Sequence, residues 1–290
     1  MTAPDRAAVE GALAGFAAGR AALAAGVALV PLTGGASNRT VRVTSRAGDW
    51  AVRIAGADDG TFAINRVAER QVHAAAAAAG FAPPIVHAEP ERGILITAYV
   101  EGVPLSRAEI RGAAWLDRLG ARLAELHALP PPRGVRRLDI HDVLAHYLEL
   151  RDVPEGPVPR QEIAARLRWS LANYRPGGAA LCHNDLHWRN IIAAADRLWF
   201  VDWEYGGVGD PLVEIAAVVG YHDLDAAQRA RLLEAYGARF RPLDVDHMCR
   251  AFDCLHALWL DAARGWDALE PERREALVAR LAVDPAERRA

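Results

Sequence analysis

Lysine is absent from this 290-residue chain; all 34 of its basic residues are arginine. That removes chemistry running through a lysine amine, such as a Schiff base or the lysine of a Walker phosphate loop. Cysteine is scarce. Cys182, Cys249 and Cys254 are odd in number and form no C-x-x-C pair. Neither a disulfide framework nor a thiolate zinc site is expected, and a reducing cytoplasm is the predicted location. An excess of positive charge is missing as well. The 34 arginines face 37 acids for a net charge of −3, which argues against a nucleic-acid partner. Long apolar runs are also lacking. The longest, residues 21–32, contains Gly26 and Pro31 and falls short of the roughly 20 residues a membrane span needs. No secretory pattern opens the chain, and no membrane partner is expected.

What is present is alanine, within a hydrophobic fraction of 52%. Alanine favours helix, so a helix-rich core is predicted. At roughly 100–200 residues per domain, the length predicts two domains. Residues 6–25 read as one alanine-rich helix. Short β-type segments follow near 28–32, 40–44 and 50–54, separated by Gly34-Gly35 and by a turn at 47–49. Residues 62–79 read as a helix ended by Gly80 and Pro83-Pro84, and 93–100 as a further strand. Glu101-Gly102-Val103-Pro104 reads as a hinge. Beyond it the pattern turns helical. Ser106 with Glu109 has capping-box spacing before a helix at 108–128, and helices are expected near 139–151, 161–173 and from Pro211 onward. Two short apolar runs, 191–194 and 198–201, read as a hairpin. The predicted division is residues 1–100, with strands and one main helix, and residues 101–290, mainly helical.

Chemistry concentrates between Cys182 and Asp210. The string His183-Asn184-Asp185-Leu186-His187-Trp188-Arg189-Asn190 is followed by the hairpin and by Asp202. An aspartate, an asparagine five positions on and a second aspartate after a hairpin suit phosphoryl transfer. Asp185 can orient or accept the proton of an attacking hydroxyl. Asn190 and Asp202 offer hard oxygens to a magnesium ion that bridges nucleotide phosphates. His183 and His187 read as hydrogen-bonding supports of this loop.

These residues resemble the aminoglycoside phosphotransferase and choline kinase superfamily, relatives of protein kinases. The motifs that carry the resemblance are residues 182–190 and Val201-Asp202-Trp203-Glu204-Tyr205-Gly206-Gly207-Val208-Gly209-Asp210-Pro211. It runs from about Leu32 to Glu214 and more faintly to Trp266. The Asp-Trp-Glu-Tyr string is most similar to bacterial choline/ethanolamine and thiamine kinases. The resemblance implies an α+β, bilobal, protein-kinase-like fold, ATP as phosphoryl donor and magnesium as cofactor. It implies that Gly34, Gly35, Ser37 and Asn38 belong to a phosphate loop, that Arg53 stands where protein kinases have their phosphate-gripping lysine, and that Glu69 is its ion-pair partner. Asp210 and Glu214 would support the catalytic loop. Glu214 replaces a usual aspartate and, one methylene longer, should keep the hydrogen bonds to the loop backbone.

The acceptor would be a small cationic alcohol, choline or ethanolamine first, then thiamine, with an aminoglycoside as another option. Trp203, Glu204, Tyr205, Trp259 and Trp266 are its candidate contacts, because aromatic faces beside carboxylates attract cations. Trp259 and Trp266, seven apart, are equally readable as one apolar helix face in the core. A different chemistry is also open. His183, Asp185 and His187 form an H-x-D-x-H string that, with Asp202 and His222, could ligate zinc in a hydrolase if the two histidines shared a helix face. A nucleotide-binding protein without catalysis is the remaining alternative.

Overall fold

A computed structural model of the protein describes residues 3–32, 38–56, 60–195, 197–237 and 240–282. The N-terminal part holds α1 (Ala3–Ala14), α2 (Ala17–Ala25), β1 (Ala28–Leu32), β2 (Asn38–Ser45), β3 (Gly48–Ala55), α3 (Arg66–Ala78), β4 (Ile85–Glu89) and β5 (Ile94–Ala98). Its strands form one antiparallel sheet in the order β1-β2-β3-β5-β4. The pleat sorts the side chains. Val41, Val43, Trp50 and Val52 are buried on one face beneath Val9, Leu13 and Ala22 of α1 and α2. The alternating residues Thr40, Ala51 and Arg53 face a cavity on the other side.

The C-terminal part begins with β6 (Val103–Pro104), α4 (Arg107–Ile110), α5 (Ala113–His127), α6 (Ile140–Glu149) and α7 (Arg160–Asn173). Then come β7 (Ala180–Cys182), β8 (Ile191–Ala193), β9 (Leu198–Phe200) and β10 (Gly207–Gly209), followed by α8 (Pro211–Tyr221), α9 (Ala226–Tyr236), α10 (Pro242–Ala263) and α11 (Pro271–Ala282). One core gathers α6, α7, α8, α10 and α11 around Leu167, Leu212 and Leu258. A second joins α5 and the β8–β9 hairpin to the inner face of α3 through Leu119, Leu123, Phe200 and Val72. No helix among the described residues is long and apolar enough to cross a membrane.

The α+β, protein-kinase-like class expected from the sequence is the observed one, and the differences are local. The helix read over 6–25 is two, broken where Phe16 is extended at φ −137° and ψ 160°. The break lets α2 fold back so closely that a Cβ at Gly19 would meet the Leu13 carbonyl oxygen at 2.1 Å. The helix read over 62–79 starts only at Arg66, where the Asn65 side chain accepts the Ala68 N–H at 2.9 Å. Strand β4 went unread because prolines flank it and a bulge between Ile85 and His87 spoils its alternation. The Ser106–Glu109 capping box forms, but it caps only the four-residue α4 before the chain restarts at Gly112.

Candidate active site

The loop after β7 is held from below by one carboxylate. Glu214, on the first turn of α8, takes the backbone N–H groups of His183 and Asn184 through Oε1, both at 2.8 Å. Its other oxygen lies 2.6 Å from His127 Nε2, and Tyr236 lies 3.0 Å from His127 Nδ1. Glutamate in place of the usual aspartate therefore still reaches the loop. His183 is fully buried. Its Nδ1 accepts the Asp185 N–H at 3.2 Å and its Nε2 contacts the Val201 carbonyl at 2.8 Å. That pair of bonds assigns the neutral tautomer with the proton on Nε2, and burial lowers the ring's pKa in agreement. His187 caps the short turn before Asn190 by accepting the Arg189 N–H, and burial lowers it to about 4.

Asp185 closes the loop. Asn190 Nδ2 donates to its backbone carbonyl at 2.8 Å and to its carboxylate at 3.0 Å. The side chain keeps 13% of its surface accessible, and burial pushes its pKa up to about 7. The β8–β9 hairpin then returns the chain so that the Val201 N–H donates to the Asn190 carbonyl at 3.0 Å. The next residue, Asp202, sits in the left-handed region at φ 65°, as does Asn184 at φ 65°. Strained conformations of this kind collect at functional sites. The hairpin turn at Asp196 lies outside the described residues.

Asp185, Asn190 and Asp202 supply carboxylate and amide oxygens, the hard donors magnesium takes. Because the Asn190 amide nitrogen is engaged by Asp185, its oxygen is the end left for a cation. This donor set fits magnesium. It does not fit zinc. The His183–His187 stretch is an irregular loop rather than a helix, and His222 is turned to the Leu186 carbonyl at 3.0 Å. Among the described residues, the ligand atoms that converge within 4.8 Å are those of His127, Cys182 and Glu214. Burial pushes the Cys182 thiol up, and Glu214 is already bound to the loop, so that cluster is a hydrogen-bonded support.

From the sheet, a charged network reaches over this loop. Arg53 lies opposite Thr40 and Leu95 in the strands and bonds Glu69 at 2.6 and 2.7 Å and Asp202 Oδ1 at 2.9 Å. Burial opposes its charge, but Glu69 and Asp202 outweigh that and raise its pKa. Arg66, one turn before Glu69, bonds Glu69 and Glu204 at 2.9 Å each and Asn38 Oδ1 at 3.1 Å. Asn38 Nδ2 in turn donates to Glu204 at 2.8 Å and to Asp202 at 3.2 and 3.3 Å. Gly34, Gly35 and Ser37, expected in the phosphate loop, lie outside the described residues.

The opposite wall is aromatic. Tyr205, Trp259, Tyr147, Tyr221, Phe62 and Phe252 line the same cavity, whose volume is about 660 Å³. The Trp259 indole lies 3.4 Å from the Tyr205 hydroxyl and 5.8 Å from the Phe62 ring centre. Four expectations need correction. Trp203 is fully buried against His183 at 4.6 Å and donates to the Phe200 carbonyl. Trp266 packs in the helical core and donates to Asp261 at 2.7 Å. Glu204 lines the cavity on the arginine side, not the aromatic one. Burial and the nearby Asp202 carboxylate push its pKa up, against the pull of Asn38, Arg53 and Arg66. Asp210 does not hold the catalytic loop; it caps α8 through Leu212 N–H and takes the Gly177 N–H at 3.0 Å. Phe62, Tyr147, Phe252 and Arg66 were not singled out from sequence. Only Arg66 carried a usable signal, standing three residues before Glu69 on one helix face.

The fold is protein-kinase-like, and the site gathers the carboxylate, amide and arginine groups that phosphoryl transfer uses. The sequence model of the phosphotransferase enzyme family, APH, matches residues 28–252, and the chain belongs to that family. Protein LicA of Haemophilus influenzae is 28% identical over 214 residues, 70% of this chain and 61% of that protein. A thiamine kinase of Salmonella typhi is 33% identical over 150 residues, 52% of each chain. The chain thus spans less than two thirds of the length of either curated relative. The crystal structure of a choline/ethanolamine kinase family protein from Mesorhizobium loti superposes with a TM-score of 0.73 at 26% identity, over 97% of this chain and 95% of that one.

Proposed function

We propose that this protein transfers the γ-phosphoryl group of ATP to the hydroxyl of a small cationic alcohol, with choline and ethanolamine the first candidates. The observation that carries the reading is the place of Asp185 between two unlike walls. On one side stand Arg53, Arg66 and the acids they pair with. On the other stand Tyr205, Tyr221 and Trp259. A hydroxyl brought to Asp185 by an aromatic-lined pocket would face a phosphate held from the arginine side.

Asp185 orients the acceptor hydroxyl and takes its proton. Asn190 and Asp202 hold magnesium, which supplies charge neutralisation on the phosphates when bound. Arg53 grips the phosphates bidentately, positioned by Glu69, while Asn38 and the preceding glycine loop cradle them. Tyr205 and Trp259 hold the acceptor's cationic end through their ring faces. A cytoplasmic location belongs to this reading, supported by the three free cysteines. Thiamine is the second reading, favoured by His256. Burial lowers that imidazole to about 4, so it is neutral, and it lies on the aromatic wall, where it can hydrogen-bond a heterocycle but not the quaternary ammonium of choline, which has no N–H.

The test is release of ADP from magnesium–ATP with choline, ethanolamine, thiamine, a neutral sugar and an aminoglycoside. Turnover is expected with one of the first three. Turnover with the aminoglycoside alone would refute the acceptor class, and ADP release indifferent to every acceptor would refute the kinase reading.

A further inference from the structure

The segment after Asp202 is a single turn of three residues, Trp203–Tyr205, closed by the Gly206 N–H on the Trp203 carbonyl at 2.9 Å. Such a turn has little stability of its own. Here its three following carbonyls are all taken by side-chain donors. Arg136 Nη2 donates to the Glu204 carbonyl at 2.5 Å, Asn184 Nδ2 to the Tyr205 carbonyl at 3.1 Å, and Arg136 Nε to the Gly206 carbonyl at 2.7 Å. Arg136 is itself fixed. Its carbonyl accepts the Val208 N–H at 2.8 Å, and the Leu138 N–H donates back to the Val208 carbonyl at 2.9 Å. The loop between α5 and α6 is thereby stitched to β10 on either side of the arginine. Across the segment, α3 presses in, since a Cβ at Gly206 would lie 2.7 Å from Val72.

We propose that Arg136 is a positioning residue: its planar fork straps the 204–206 backbone and so presets both Asp202 for the metal and Tyr205 for the acceptor. The proposal rests on the reading of Asp202 as a metal ligand. A guanidinium fits the task because two N–H groups in one plane meet two carbonyls two residues apart. An ammonium group at the same place carries charge without that fork. The two bonds are charge-assisted, the stronger kind, and they hold the segment that directly follows Asp202, whose left-handed backbone needs outside support. Freed from the fork, the segment would relax toward ordinary dihedrals and carry the Asp202 carboxylate and the Tyr205 ring with it. Two sites described above as separate walls would then loosen together.

The experiment measures Mn²⁺ binding to the ADP complex by electron paramagnetic resonance, beside steady-state kinetics and thermal melting, for the parent, Arg136→Met and Arg136→Lys. Loss of both bonds in Arg136→Met is expected to weaken Mn²⁺ binding about tenfold and lower kcat by about tenfold or more, with the acceptor KM rising in parallel. Arg136→Lys, able to reach one carbonyl at a time, is expected between the two. Mn²⁺ affinity unchanged in both variants, with only the melting temperature lowered, would overturn the proposal by making Arg136 a plain stabiliser. If Arg136→Met does not fold, Arg136→Lys decides alone: parental Mn²⁺ affinity and kcat overturn the proposal, and intermediate values support it. A parent that binds no Mn²⁺ in the presence of ADP would instead remove the metal reading on which the proposal rests.

Discussion

The two walls of the cavity are built by different physics. On the arginine side, Arg53 and Arg66 meet Glu69, Asp202, Glu204 and Asn38 in one closed network with contacts between 2.6 and 3.3 Å. Every member has a fixed partner, and loss of one strands another. On the aromatic side, Tyr205, Trp259, Tyr147, Tyr221 and Phe252 present ring faces and few fixed bonds. On the proposed reading, charge pairing would fix where a phosphate sits. Aromatic surface, being non-directional, fixes only what kind of molecule sits opposite. The donor side should therefore respond to single substitutions sharply, and the acceptor side gradually.

The largest expected effect falls between the walls. Asp185→Ala should lower kcat by roughly 10²-fold or more while leaving the ATP KM nearly unchanged, as for loss of a general base. Steady-state kinetics check this, and full turnover would break the assignment. Next comes Arg53→Ala. It strands the Glu69 carboxylate in a buried site, so a stability loss of about 3 kcal/mol is expected together with a clear rise in ATP KM. An unchanged ATP KM would place the phosphate-gripping cation elsewhere. On the aromatic side, Trp259→Ala should raise the acceptor KM about fivefold to thirtyfold and leave the ATP KM alone, the range set by a cation over a partly desolvated ring. A shift in both constants would mean that the walls are not independent.

The smallest effects come from pH. Burial holds Asp185 near 7, so its basic form is lost as pH falls below that value, and kcat should decline on the acid side. The same shift affects stability with the opposite sense. A carboxyl whose folded pKa is raised contributes fully below its unfolded value of about 4 and loses that contribution as pH rises to about 7. Asp185→Asn should match the parent in thermal stability near pH 4 and exceed it at pH 8. A melting-temperature difference that does not grow over this interval would contradict the raised value.

The same contrast explains what could be read from the chain. Asp185, Asn190 and Asp202 were legible because a loop and a tight hairpin bring neighbours in sequence together, so spacing reports geometry. Arg53 and Glu69 were legible through a family resemblance and sixteen residues of strand and helix. The aromatic wall was legible only in part: Tyr205 and Trp259 were named for their chemistry, but their convergence with the other rings was not read. Phe62 precedes α3, Tyr147 lies on α6, Tyr221 ends α8 and Trp259 sits on α10, and no spacing announces that they converge. Trp203 and Trp266 were wrong for the reason that made them attractive, since a large ring serves the core as well as a ligand. In the fold, strands with clean alternation were found and β4, bulged and bounded by prolines, was not. Arg136 follows a run of three prolines and gave no signal, because its partners are backbone carbonyls, which leave no mark on sequence.

At three positions of the site, arginine does what lysine would not. Arg53, Arg66 and Arg136 each reach two or more acceptors from one planar group, a geometry an ammonium group does not reproduce. The central claim is transfer of a phosphoryl group to a small cationic alcohol. ³¹P nuclear magnetic resonance of the protein with magnesium–ATP and choline, ethanolamine or thiamine tests it most directly. A new phosphoester resonance growing in step with ADP for one of these acceptors is the predicted result. ADP and inorganic phosphate as the only new phosphorus species with all three, or no loss of ATP at all, would contradict it.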